Sequence, residues 1–425
     1  MTVLARGLRV LRGAAAAAAL GLPLPSAAQI VVSNTDDAGT GSLRDAIVAA
    51  NAAPGASTII FDIGPGDPGF VDEDGALPGG DPDPDVFVIA LASALPALAN
   101  SAGITIDGGS QTTFGGDTNP FGPEIAIDGG GVAGGLSLAG SSHHLLGLNL
   151  RAFAGDGVLV QGDGNVLRGN FIGTDSTGTV AMGNGEDGVE IRGAADNVIG
   201  GTGSGEGNVI SGNGTDGIRI RDTGGTNNVV QGNRLGTDAS GTTALGNGGD
   251  GIEVSGPNNL IGGSEAGAGN LCSGNVAAGI RLFLAATGTV LQGNYVGTDV
   301  TGTTAVANGT GVDLTAEARG IRIGGTAPGA GNLISGNVTG IRITSAGSVG
   351  TPTGGNTVEG NLIGTDMTGA APLPNNNGVL IDGASDNVVG GIAPATGNVI
   401  AFNNGTGVIV GGVFEDPGSG NSILG

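Results

Sequence analysis

Residues 217–238 read GIRIRDTGGTNNVVQGNRLGTD, and their alternation decides the fold. Ile218 and Ile220 flank Arg219, which puts apolar side chains on one face of a short strand and a charge on the other. Glycine, asparagine and aspartate interrupt the pattern within a few residues, too soon for a helix of ordinary length. A short apolar piece, Asn228-Val229-Val230, comes next, and the motif Gly-Asn-x-apolar-Gly-Thr-Asp closes the unit at Asp238.

The unit recurs along the chain. Its leading pattern, Gly-apolar-x-apolar, begins at Gly135, Gly157, Gly188, Gly217, Gly251, Gly279, Gly311, Gly340, Gly378 and Gly407. The closing motif ends at Asp175, Asp238, Asp299 and Asp366, so only alternate units carry it. The others carry a Gly-Gly…Gly-Asn loop, as between Gly262 and Asn270. Two coils per longer period are expected, because two leading strands fall in each. Strands this short, with the same residue character at equivalent places, fit in-register parallel stacking, where each side chain lies above its own kind. Asn165, Asn228 and Asn356, with Thr289 substituting, share one turn position and read as a structural ladder. Cys272 occupies the place of Ile210, Ile334 and Ile400 and reads as a buried small hydrophobe.

Composition agrees with a folded, turn-rich solenoid: 92 Gly and 18 Pro with no Trp, yet 39% apolar residues. Every basic residue is Arg, and the formal net charge is -24. A surface of that sign repels phosphate backbones, which removes nucleic acid from the expected partners. Arg6, Arg9 and Arg12, the Ala/Leu-rich stretch after Gly13, and Ser26-Ala27-Ala28 have the order of a secretory leader over residues 1–28, with Gln29 as the expected mature start. No later stretch is apolar for long enough to predict a transmembrane helix. A single cysteine offers neither an intrachain disulfide nor a lipidation site at the leader, so stability is expected from stacking.

Before the stack, residues 29–103 read as a strand-helix-strand cap with a Gly/Pro/Asp-rich surface excursion from Gly64 to Asp85. Ser42 and Asp45 form a capping box for a helix ending near Asn51, and Leu43, Ala46, Ile47 and Ala50 share its apolar face. Ile104 to Asp107 and Ile125 to Asp128 then look like the first coils of a helix running over residues 104–425. Asn421 to Leu424 begin another strand, so the sequence stops partway through a coil.

The run VSNTDDAGTGSLRDAI…AANAAPGASTIIFDI, then ITIDG, then GN-x-IGTD and GNG-x-DG units, resembles bacterial secreted proteins built of right-handed parallel β-helix repeats, whose fold is pectate-lyase-like. The likeness covers essentially the whole mature chain. It implies an all-β architecture: a single-stranded right-handed parallel β-helix, a solenoid with a short N-terminal α-helical cap. It also implies an exported or cell-surface location. The same coil carries lyases, hydrolases, epimerases and adhesins, so it implies no single activity.

Two outward rows carry the candidate chemistry. The middle position of the leading strand holds Glu190, Arg219, Glu253, Arg281, Asp313 and Arg342 on successive coils, with signs alternating without a break. Coils ~4.8 Å apart set each Arg between two carboxylates, worth ~0.2 to 1 kcal/mol per exposed pair. A register-fixing charge ladder is one reading; a lyase would use Arg219 as base beside Glu190 and Glu253. Asp156, Asp187, Asp216 and Asp250 precede the same strands and form a second row, a candidate calcium site, against which stands the ordinary turn preference of Asp-Gly with side chains splayed into solvent. The GTD aspartates are expected to cap their own loops.

Lys is absent, Tyr295 stands alone in a GN-x-VGTD strand, and His143 and His144 lie upstream of both rows. Three functional readings therefore remain open. One is a secreted or cell-surface scaffold or adhesin without catalysis. Another is a calcium-dependent polysaccharide lyase or epimerase acting on acidic glycans, and the third a non-catalytic carbohydrate-binding protein. The partner expected in each case is an extracellular or cell-wall polysaccharide or a host surface.

Overall fold

A computed structural model describes residues 28–73, 85–346, 352–411 and 418–424. The leader expected over residues 1–28 and most of the excursion before Asp85 lie outside these residues, although Ala28 already belongs to the first strand, Ala28–Val32.

Successive coils each add one strand to three sheets, of 13, 10 and 12 strands, parallel throughout except where Phe70–Asp72 pairs antiparallel with Asp85–Ala90 at one end of the twelve-stranded sheet. Residues 217–238 make one such coil: Ile218–Arg221 in the ten-stranded sheet, Val229–Gln231 in the thirteen-stranded sheet and Arg234–Leu235 in the twelve-stranded sheet. The register is residue on residue. Ile218 pairs with Ile252, Arg219 with Glu253 and Ile220 with Val254. Two coils separate Phe171–Ile172 from Arg234–Leu235, with Val209–Ile210 between them, as the longer period predicts. The chain is a right-handed parallel β-helix.

The interior is dry. Ile191, Ile220, Val254, Leu282, Leu314 and Ile343 lie fully buried one above another, and equivalent columns rise from the other two sheets. Each fully buried aliphatic side chain stabilises the fold by roughly 1.5 to 3 kcal/mol over leaving it in water. Cys272 is among them, between Leu235 and Val296, as its sequence position requires.

Where the chain turns between sheets, backbone N–H groups point along the axis with no strand partner. Three asparagine ladders satisfy them. In one, Asn208 donates its backbone N–H and its amide to Asn233 Oδ1, at 3.0 and 2.8 Å, and Asn233 repeats the pair toward Asn270. Another runs Asn213, Asn247, Asn275, Asn308. The ladder expected at Asn165 and Asn228 also includes Asn197 and Asn259, and Thr289 Oγ1 accepts the Asn259 N–H in the asparagine's place.

Helix α1, Leu43–Ala52, closes one end with Leu43, Ala46, Ile47 and Ala50 inward. Ser42 Oγ accepts the Asp45 N–H at 3.3 Å, while the Ser42 N–H goes to Gly39, so only the forward half of the capping box forms. The strands Ala28–Val32 and Ser57–Phe61 extend the thirteen-stranded sheet below Ile104–Asp107, so parallel pairing continues through the segment that carries α1. A short helix not expected from the sequence, α2, Ser110–Gly115, follows; Ser110 Oγ and Gln111 Oε1 accept the N–H groups of Phe61 and Ile63.

The GTD loops project from alternate coils. Their glycine is obligatory: Gly236 has φ +88°, and a Cβ there would sit 2.3 Å from Asn275 Oδ1.

Candidate functional site

The ten-stranded sheet turns the charged row outward, and the register places its members in one file: Glu190, Arg219, Glu253, Arg281, Asp313, Arg342. Leu159 precedes the file and Leu380 follows it. The signs pair across coils. Arg219 Nε lies 3.0 Å from Glu253 Oε1, Arg281 reaches Glu253 Oε2 at 3.3 Å, and Arg342 grips Asp313 with two bonds of 2.7 and 2.6 Å. Glu190 is held instead by Arg192 and Arg221, from the next outward position. The sequence reading treated these as exposed pairs, and the structure corrects that: the arginine side chains are 34–43% exposed, but they lie over their partners and bury Glu190, Glu253 and Asp313.

The aspartate row is also in file, and its side chains are not splayed into solvent. Asp156 Oδ1 accepts the backbone N–H of Asp187, Asp187 that of Asp216, Asp216 that of Asp250, and Asp250 that of Ala278, at 3.1, 3.0, 2.7 and 2.6 Å. The row is a hydrogen-bonded rail along the sheet margin. Thr215 also donates its hydroxyl to Asp187. Asp187, Asp216 and Asp250 are buried, Asp156 partly so.

Burial sets the protonation of this rail. Desolvation raises the Asp216 carboxyl to about 7 against the help of the Asp250 N–H, and the charges of Glu253, Asp250 and Asp187 add to the rise. Asp250 stands at about 6, again chiefly by desolvation, with the Ala278 N–H and Arg281 opposing. Asp156 is pushed to about 7 by desolvation and by Glu190 and Asp187. Glu253 is raised by burial despite Arg219 and Arg281. Burial works against the Arg219 charge, but Glu253, Asp187, Asp216 and Glu190 outweigh it and hold that guanidinium more firmly protonated than usual.

Of the four aspartates, the structure gathers two into a compact group. Asp216, Asp250 and Glu253 offer carboxylate oxygens within 4.8 Å of one another. Glu253 is the member that sequence reasoning assigned only to the charge row; its register opposite Arg219, two residues past an Asp-Gly, was the signal. Beyond Asp250 a cleft of about 880 Å³ opens over Arg281, Asp313, Arg342, Thr315, Thr344 and Asp382. Arg281 lies 4.9 Å over the Phe283 ring at its edge.

The remaining candidates serve the fold. Asp238 accepts N–H groups from Thr242 and Thr243 and the Ser240 hydroxyl; burial opposes its charge, yet these donors outweigh it and hold the carboxyl below its usual range. His143 is buried, with Nδ1 accepting the Ile104 N–H, and burial lowers its pKa.

No protein-family model matches this chain, and no curated protein does. Solved structures are similar to it. The A-module of the Azotobacter vinelandii mannuronan C-5 epimerase AlgE6 shares 18% identity over 92% of this chain and 97% of its own length, with a TM-score of 0.43. The A-module of AlgE4 from the same organism shares 16% over 88% and 97%, at 0.47. PfbA, a surface adhesin of Streptococcus pneumoniae, shares 12% over 86% and 85%, at 0.32. The fold stated above rests on the strand register of this chain. No helix among the described residues is long and apolar enough to cross a membrane.

Proposed function

We propose that this chain is a non-catalytic β-helical scaffold of the adhesin kind, exported through residues 1–28 and presenting rigid, repeated faces to an extracellular polysaccharide or surface. The carrying observation is the state of Arg219. A base must lose its proton near working pH. Arg219 instead lies between carboxylates that stabilise its charge, 3.0 Å from Glu253 and 3.9 Å from Asp187. Its neighbours are equally committed: each rail aspartate has an oxygen occupied by the next coil's N–H, and Glu190 is paired twice.

The test is incubation of the full chain with a panel of uronic-acid polysaccharides, with and without calcium, following unsaturated uronate absorbance and the sugar epimer ratio by NMR. Neither should change. Accumulation of unsaturated product that disappears in Arg219→Gln would replace this reading with the lyase.

Calcium binding is supported by a separate observation, the three buried carboxyls of Asp216, Asp250 and Glu253 around one point. Oxygen-only donors of this charge suit a hard divalent cation. In this reading the ion is structural, Asp216 and Asp250 hold it with Glu253, and Asp156 and Asp187 continue the rail on the other side.

A further inference from the structure

The twelve-stranded sheet carries a second outward file, in register on successive coils: Phe171, Val209, Arg234, Leu271, Tyr295 and Leu333. It forms the floor of a groove with two walls. One wall is continuous although its loops arise only on alternate coils, because each loop reaches the one two coils away. Ala239 donates its N–H to Gly178, Val300 to Gly241 and Met367 to Gly302, at 2.9, 2.9 and 3.0 Å. Val300 and Met367 stand exposed on that wall. The other wall is the backbone of the Gly-Gly…Gly-Asn loops, as at 263–267. Two cavities lie along the floor, about 470 Å³ over Phe171, Val209 and Arg234, and about 710 Å³ over Leu271, Tyr295 and Leu333.

Arg234 is the anomaly in this floor. Every other described arginine makes an ion pair or a side-chain hydrogen bond, and Arg234 makes neither. The carboxylate acting on it from a distance, Asp238, is occupied by Ser240, Thr242 and Thr243. Asp117 and Glu124 also line the first cavity; neither pairs with Arg234, and Glu124 accepts the Thr118 N–H. A half-buried guanidinium left unpaired is costly, and in a chain of net charge -24 the missing partner is not for want of carboxylates.

Resting on the polysaccharide-facing reading above, we infer that this groove binds an acidic oligosaccharide lying along the helix axis, with a sugar carboxylate on Arg234 and a sugar face against Tyr295. The charge selects an anion, and the partly exposed Tyr295 ring, two coils or ~10 Å from Arg234, offers an apolar surface against which the C–H face of a pyranose packs. A peptide fits less well. Strand addition needs a free sheet edge, and this floor is a sheet face whose backbone groups already bond to neighbouring coils.

The experiment is calorimetric titration of the full chain with a galacturonate hexasaccharide, a neutral glucan hexasaccharide and a poly-glutamate peptide of similar charge. Binding of the galacturonate alone is expected, weakening as salt rises. Arg234→Gln should weaken it tenfold or more, roughly the loss of one charge-assisted contact, with Arg234→Lys recovering part of the affinity and Tyr295→Ala losing several-fold. Arg319→Gln, on the opposite side of the coil, should leave it unchanged. Unaltered affinity in Arg234→Gln, equal binding of the glucan, tighter binding of the peptide, or no binding of the galacturonate would each overturn the proposal.

Discussion

The Asp216 carboxyl accepts the backbone N–H of Asp250 at 2.7 Å while the Asp216 backbone N–H goes to the Asp187 carboxyl, so one residue links three coils. The link tolerates a proton, since accepting one N–H leaves the other oxygen free to carry it. With Asp216 at about 7 and Asp250 at about 6, the folded chain holds protons that the unfolded chain has released from about pH 4 upward. Stability from these groups is therefore full below about pH 4 and declines as pH rises through 6 to 7, by on the order of a few kcal/mol. Thermal unfolding followed by circular dichroism should show a lower midpoint at about pH 8 than at about pH 5. Asp216→Asn keeps the acceptor and removes the charge, so it should flatten that profile; Asp216→Ala removes the acceptor and should lower the midpoint at both.

Calcium should act where the carboxyls are ionised. Millimolar calcium is expected to raise the unfolding midpoint at about pH 8 and leave it nearly unchanged at about pH 5, because protons compete for the same oxygens of Asp216, Asp250 and Glu253. Glu253→Gln should remove most of the effect. A calcium-induced rise that persists undiminished in that variant would place the ion elsewhere.

The solenoid was legible in the sequence because its physics is local and repeated. Ile218-Arg219-Ile220 alternates, Asn228 and Asn233 mark corners, and each recurs with its own kind above and below. The rail and the charge row could be placed on successive coils for the same reason. Burial could not, because it depends on side chains from neighbouring coils: Glu253 looks solvent-facing in its own strand and is covered by Arg219 and Arg281. Arg234 was visible as the one charged residue among Phe171, Arg234, Tyr295 and Leu362 in GN-x-apolar-GTD. Its lack of a partner follows only from where the loops fold.

Ion pairing in the outward row is geometric rather than residue-specific, so the pair at Arg219 and Glu253 should be reversible. Arg219→Glu alone places three carboxylates in file with Glu190 and Glu253, and should destabilise by about 1 to 2 kcal/mol. Adding Glu253→Arg restores that one pair but sets a new arginine beside Arg281 and gives up the Glu253–Arg281 pair, so it should recover little of the loss even though the pair itself re-forms. A double-mutant cycle on thermal or urea midpoints reads the coupling directly.

Cys272 is fully buried and burial pushes its thiol pKa up, so it should resist a disulfide reagent in the native protein and react at a rate set by unfolding. Its column holds Leu235 below and Val296 above. Cys272→Val is therefore expected to change stability by less than about 1.5 kcal/mol, whereas Cys272→Ser buries a hydroxyl in an apolar column and should cost more.

The asparagine ladders set the largest single-residue effect. Asn233 Oδ1 accepts two donors from Asn208, its backbone N–H at 3.0 Å and its amide at 2.8 Å, and the Asn233 amide donates to Ile199, Gln231 and Asn270. Asn233→Ala leaves the Asn208 backbone N–H buried and unsatisfied and strips one of the two acceptors from its amide, which keeps Leu167 O; at roughly 1 to 3 kcal/mol per lost bond, a loss of about 3 kcal/mol is expected. Asn233→Asp keeps an acceptor but loses every donor and buries a charge, and should be worse near pH 7 than near pH 4. Because coils contact only their neighbours, the damage should stay local. Amide hydrogen exchange should accelerate at Asn208 and Asn270 and remain slow at Asn361, several coils along the same ladder. Uniform acceleration along the whole chain would show instead that the solenoid unfolds as one unit, with the ladder acting on its global stability.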